Sequence, residues 1–104
     1  MNESEERVYQ SKLSELRIQL NTIDDDLVKL LISRFYLTDE IGRLKQNSNQ
    51  QIYDPDREAS IIDNISETVQ KYQLSSMDSD SLTSCIIGIY REIMNQSKIS
   101  QSNL

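Results

Sequence analysis

SKLSELRIQLNTIDDDLVKLLISRFYLTDEIGRLK, residues 11–45, contains no proline and one glycine, Gly42. Apolar residues recur along it at Leu13, Leu16, Leu20, Ile23, Leu27 and Leu30, then at Leu37, Ile41 and Leu44. The steps alternate between three and four residues, the seam of a heptad pattern along one helix face. One seam position is charged: Arg34 stands between Leu30 and Leu37. About 35 residues at 1.5 Å rise make a helix of roughly 52 Å. A compact domain of this size has a radius of gyration of about 13 Å, equivalent to a sphere about 33 Å across. The helix is too long for one small globular chain to cover. Either the monomer is elongated or a second chain supplies the missing apolar cover, and we favour an intertwined helical dimer.

Beyond the long helix, residues 46–53 form a polar connector with Asn47, Ser48, Asn49 and Gln50. Asp54-Pro55 reads as an N-cap followed by proline at the first helical position. A second helix follows, with Ile61, Ile62, Ile65, Val69 and Tyr72 at helical spacing. Leu74 to Met77 reads as a turn, and Asp78 can cap a third helix carrying Leu82, Ile86, Ile89 and Ile93. That stripe runs on into Ser97 and Gln101, polar where Leu or Ile is expected. Residues 1–9 are an acidic N-terminal extension, and residues 102–104 are expected to fray. No internal repeat is visible. Residues 1–104 therefore read as one all-α domain: three helices, the first very long, forming an intertwined homodimeric helical bundle.

Composition narrows the chemistry. Gly42, Gly88 and Pro55 are the only Gly and Pro residues, too few for a β-sandwich or a doubly wound sheet. With no His and one Cys there is no usual zinc site, no disulfide framework and no Ser-His or Cys-His dyad. No metal or cofactor is expected. No group has an unperturbed pKa near 7, so ordinary His acid/base work is absent as well. A net charge of −6 argues against nucleic acid as partner. It permits a small anionic ligand, because a few cations can dominate locally. There is no signal-peptide core and no apolar run long enough to span a membrane, so a cytoplasmic protein is expected. The single Cys85 agrees with a reducing compartment.

The polar exceptions carry the functional reading, although each also has a structural one. Arg34 fits a register-setting polar residue or a snorkelling charge. Lys45 lies eleven residues later, about 20° away around the helix and about 16 Å along it. Two long cationic side chains so placed can close on a small dianion. Alone, Lys45 is a favourable helix C-terminal cation. Asp54, Arg57 and Glu58 cluster at the start of the second helix. Capping and the helix dipole account for the acids but not for Arg57. Ser97 and Gln101 share one helix face, four residues apart. Arg17 is offset from Arg34 by about 25 Å and about 100°, so the two can meet one small ligand only if Arg17 comes from a partner chain.

These residues, in this order, resemble the all-helical class of chorismate mutases. The matching elements are Leu16-Arg17, Ile23-Asp24, Leu30-Leu31, Arg34, Ile41 to Lys45, Tyr53-Asp54-Pro55-Asp56-Arg57-Glu58, Ser97 and Gln101. They cover about residues 10 to 101. Any one of them is weak; the ordered set is specific. The resemblance implies three helices entwined into a homodimer with two equivalent sites, and the Claisen rearrangement of chorismate to prephenate on the route to Phe and Tyr. It implies that the partner's copy of Arg17 reaches a substrate carboxylate and that Arg34 holds a carboxylate within its own chain. Lys45 would bond the ether oxygen and a carboxylate, and Gln101 would donate to the ether oxygen. Asp54 and Glu58 would receive the ring hydroxyl, Arg57 would serve the polar edge, and Ser97 would position the ligand. Ile41, Ile61 and Met94 would line the apolar part.

The implied reaction suits the composition, since it needs no nucleophile, metal or proton transfer. It needs the substrate held in a near-attack shape and negative charge stabilised on the ether oxygen. Gln101 is neutral at ordinary pH, so no acidic optimum is expected. The stretch from Glu58 to Ser97 is longer than in short bacterial relatives, with the insertion near Leu74 to Asp80. Lys98 adds a cation close to the site unless it points outward. The same cation set would also bind isochorismate, for a pyruvate lyase, or 4-amino-4-deoxychorismate, for a mutase. A non-catalytic helical dimerisation or regulatory module is the alternative of another class; it leaves Ser97 and Gln101 on an apolar face unexplained.

Overall fold

The computed structural model describes residues 2–73 and 78–104. Three helices follow one another: α1 (Glu3–Asn47), α2 (Pro55–Tyr72) and α3 (Ser79–Ser102). Among the described residues there is no strand. The Leu74–Met77 turn expected from the sequence lies outside the described residues.

α1 begins at Glu3, well before the start of the apolar seam at Leu13. The local sequence explains the extension. The Asn2 side chain accepts from Glu5 N–H at 2.8 Å, and Glu5 Oε2 accepts from Asn2 N–H at 3.3 Å. This reciprocal pair satisfies two otherwise orphaned donors. Glu3, Glu5 and Glu6 also place negative charge at the positive end of the helix dipole. The acidic extension is thus helical. At the other end Asn49 adopts a left-handed conformation, φ 55°, and Gln50 N–H returns to Lys45 O at 2.8 Å. Asn tolerates that backbone better than most residues, so the polar connector turns the chain there.

α2 starts as the sequence predicts. Asp54 caps it, accepting from Arg57 N–H at 3.0 Å, and Pro55 occupies the first turn. Asp78 caps α3, accepting from Asp80 N–H at 3.1 Å and from the Ser81 hydroxyl at 2.7 Å. The Ser81 hydrogen bond, helped by the Asp80 N–H, holds the Asp78 carboxyl below its ordinary value.

The chain divides into two compact units, one ending at Tyr36 and one running from Leu37 to Leu104. In the first, the seam residues Leu16, Leu20, Ile23, Leu27 and Leu30 are all more than half exposed. In the second, α2 packs on α3 around Ile65, Val69 and Met94, the buried apolar residues among those described. Gly42 is buried in the same unit. Leu37, Ile41 and Leu44, the end of the seam, stay exposed there. The chain terminus is tied back, with Gln46 Nε2 donating to Leu104 O at 3.1 Å. Among the described residues no helix is long and apolar enough to cross a membrane.

Candidate active site

Two side chains on α3 break the apolar rule of its buried face. Ser97 is 5 % exposed and Gln101 6 % exposed, beside the buried Met94. Buried polar groups cost free energy unless hydrogen-bonded, and both of these are. The Ser97 hydroxyl donates to Ile93 O at 2.9 Å, one turn back. Gln101 Nε2 donates across to Thr38 O on α1 at 2.6 Å. An amide nitrogen has two hydrogens, so one N–H of Gln101 remains to donate elsewhere.

Gly42 creates the space for Gln101. A Cβ at residue 42 would meet Gln101 Cγ at 2.7 Å and Gln101 Cβ at 3.1 Å. Gly42, three residues before Lys45, is therefore where α3 leans on α1. Ser100 reinforces the contact, its hydroxyl donating to Asp39 Oδ1 at 2.7 Å. Gly88 has no such role: within the chain, a Cβ there would meet nothing within 4 Å.

Lys45 is half-buried in the last turn of α1. Its Nζ donates to Ile52 O at 3.1 Å, bridging the helix end and the connector. An ammonium has three donors, so this bond holds the head in place without exhausting it. A pocket of about 360 Å³ opens there, lined by Lys45, Gln50, Gln51, Tyr53, Asp54 and Pro55. The start of α2 forms one wall, so its backbone dipole adds positive potential beside the Lys45 charge.

Asp54 and Arg57 are exposed at the start of α2, and Glu58 is half-buried. The Asp54 carboxylate is engaged by the Arg57 backbone. Glu58 Oε1 pairs with Lys98 Nζ at 3.1 Å, and the same ammonium sits 4.8 Å from the centre of the Tyr53 ring. Lys98 therefore turns towards the α2 start rather than into solvent. Ile61 is half-buried and Ile41 is exposed. Arg17 and Arg34 belong to the first unit. Arg17 is exposed, while Arg34 is half-buried with its Nη1 shielded from solvent.

The second unit thus carries Lys45, Asp54, Arg57, Glu58, Ser97 and Gln101 on the facing ends of its helices and connector. Three supporting groups lay beyond sequence reasoning: Thr38 O, Ile52 O and the Asp39–Ser100 bond. The carbonyls are backbone atoms without residue-type signal. The hydrogen bonds from Gln101 and Ser100 join residues about sixty positions apart in the chain.

Comparison with known proteins gives a consistent answer. The family described as chorismate mutase type II matches residues 16–102. A bifunctional chorismate mutase/prephenate dehydratase from Aquifex aeolicus (strain VF5) is 31% identical over 84 residues, covering 81% of this chain and 22% of that protein. A T-protein from Enterobacter agglomerans is 38% identical over 52 residues, covering 50% of this chain and 14% of that protein. The chain spans less than a quarter of the length of either relative.

Proposed function

We propose, since this chain belongs to the type II chorismate mutase family, that it rearranges chorismate to prephenate. The observation that carries this reading is Gln101: a buried, neutral amide donor, seated in the gap left by Gly42 and anchored on Thr38 O. A dimerisation module gains nothing from a polar group there.

The rearrangement is intramolecular. The ether C–O bond breaks as a C–C bond forms at the other end of the enolpyruvyl unit, with no outside reactant. Negative charge grows on the ether oxygen in the transition state. Donors fixed before the reaction stabilise that charge without reorganising. In this reading Lys45 and the second N–H of Gln101 supply them. Arg34, with Arg17 from a partner chain, binds the carboxylates. Asp54 and Glu58 accept from the ring hydroxyl, Arg57 supplies positive charge at the polar edge, and Ser97 positions the ligand. Even a 10⁶-fold acceleration needs about 8 kcal/mol of transition-state stabilisation. A pair of charge-assisted or preorganised donors plus fixed geometry is of that size.

The uncovered seam supports a homodimer. Leu16, Leu20, Ile23, Leu27 and Leu30 are exposed by 51% or more, whereas the buried apolar residues among those described are Ile65, Val69 and Met94. Fully burying one such side chain contributes about 1.5–3 kcal/mol. A second copy, carrying the same seam, is the cover we infer. A cytoplasmic setting suits the free thiol of Cys85.

The test is incubation with chorismate, with products followed by NMR. Prephenate formation is the expected result. Well-folded protein that leaves chorismate, isochorismate and 4-amino-4-deoxychorismate unchanged would remove the enzymatic reading.

A further inference from the structure

The ion pair between α2 and α3 bears on which ring substituent the site accepts. Lys12–Glu15, Lys29–Asp25 and Arg43–Glu40 are neighbours on α1, each with both side chains at least half exposed. Lys98–Glu58 is different. It joins two helices, and its side chains are 36% and 26% exposed. The Tyr53 ring flanks the ammonium on another side. Lys98 is thus held by a carboxylate and an aromatic ring on separate elements, in a partly desolvated position where charge is less screened.

We propose that Lys98 makes the site select a substrate with a neutral ring hydroxyl over one with a ring ammonium at the same carbon. The inference rests on the preceding reading, in which Glu58 accepts from that substituent. A carboxylate alone would favour the ammonium, because the hydrogen bond is charge-assisted in both cases and the ammonium adds the attraction of opposite charges. Here Oε1 of Glu58 is already bonded to Lys98 Nζ at 3.1 Å. A hydroxyl donating to the other oxygen loses little from that, being uncharged. An aliphatic ammonium in its place would stand about 5 Å from the Lys98 nitrogen, two hydrogen bonds apart across one carboxylate. Like charges at that separation in a partly shielded site repel strongly enough to change affinity at least tenfold, after allowing for solvent. Lys98 is a positioning and selectivity residue here, and the reacting atoms lie elsewhere.

The experiment compares wild type, Lys98→Met and Lys98→Arg. KM and kcat are measured with chorismate, and the inhibition constant of 4-amino-4-deoxychorismate is measured against it. In Lys98→Met the ratio of that inhibition constant to KM should fall at least tenfold, with kcat for chorismate within a few-fold of wild type. Lys98→Arg keeps the charge and should keep the ratio. An unchanged ratio in Lys98→Met overturns the inference even if activity declines, because a purely structural loss weakens both ligands together. Wild-type protein that binds the amino compound more tightly than chorismate also overturns it. Wild-type protein that turns over neither compound would instead refute the chorismate mutase reading on which the inference rests, a failure visible before any variant is made.

Discussion

Gly42→Ala separates the position of Gln101 from the stability of the fold. The new methyl would meet Gln101 Cγ at 2.7 Å, Leu104 Cδ1 at 3.0 Å and Gln101 Cβ at 3.1 Å. Leu104 Cδ1 is the end of a flexible side chain and can move at little cost. A new Gln101 rotamer can move Cγ away, but Gln101 Cβ is fixed to the α3 backbone and its contact is eased only by a shift of α3. Either change breaks the 2.6 Å bond to Thr38 O. Overpacking of this kind costs about 1–3 kcal/mol. Replacing Gly by Ala within a helix returns about 1 kcal/mol. The net stability loss is therefore about 0–2 kcal/mol, a fall in melting temperature from nothing to roughly 15 °C for a domain of this size. Loss of a preorganised transition-state donor costs about 10²–10³ in kcat. The expected variant is folded at assay temperature and about a hundredfold slower, measured by circular dichroism melting and the rate of chorismate loss. Gly88→Ala is the control, since a Cβ there meets nothing within 4 Å. It should match wild type in kcat and melt no lower. A Gly42→Ala protein with kcat within threefold of wild type would refute the reasoning.

Other variants probe separate links. Arg17→Ala and Lys45→Ala proteins, each nearly inactive, should recover part of the activity when refolded together, because one site of the mixed dimer has both residues; verified heterodimers without recovery would contradict the cross-chain role of Arg17. Gln101→Glu should be active only where its carboxyl is protonated, so its pH–rate profile should fall from acid towards neutral pH while wild type stays flat. Gln101→Met keeps the shape and removes the donor, so kcat should drop about 10²–10³-fold without a lower melting temperature. Asp78 is held below its ordinary value of 3.8 by Ser81 and Asp80. Its folded value is the depressed one, so its contribution is present above the unfolded value and lost as pH falls through the folded value. Asp78→Ala should lower the melting temperature at neutral pH, and the difference from wild type should vanish well below pH 3.8; a gap that persists in acid would contradict this.

The long helix, both caps and the polar exceptions were legible because each is local. Heptad steps from Leu13 to Leu44, Asp54 before Pro55, and Asp78 before Ser79 depend on residues within a turn or two of one another. Ser97 and Gln101 stood out because their polarity contradicts the period around them, and among the described residues they are the buried polar ones. The start of α1 was missed by eight positions because its seam is silent before Leu13, while the Asn2–Glu5 cap acts through side-chain geometry. The orientation of Lys98 could not be read at all. It depends on α2 and α3 packing Glu58 and Tyr53 beside it, and no pattern within α3 encodes that.

The same residues explain why the chain stops short of its own best packing. α3 could extend its apolar stripe through positions 97 and 101, where Leu or Ile would add buried area next to Met94. Each such replacement would contribute about 1.5–3 kcal/mol by burial. Instead both positions hold polar groups that need hydrogen bonds merely to avoid a penalty. The loss is tolerable if the seam left exposed on α1 is covered by a second copy, because the assembly then supplies the apolar burial that the single chain lacks. In the reading proposed above, stability and catalysis fall to different surfaces: the α1 seam to association, the ends of α1, α2 and α3 to the ligand. A net charge of −6 fits the same division. Acidic groups such as Glu3, Glu5, Glu6, Asp24, Asp25 and Asp26 are exposed on α1, while Lys45 and Lys98 are half-buried and held by named partners. On the proposed reading, a dianion would meet fixed positive charge in sheltered positions, where screening is weakest.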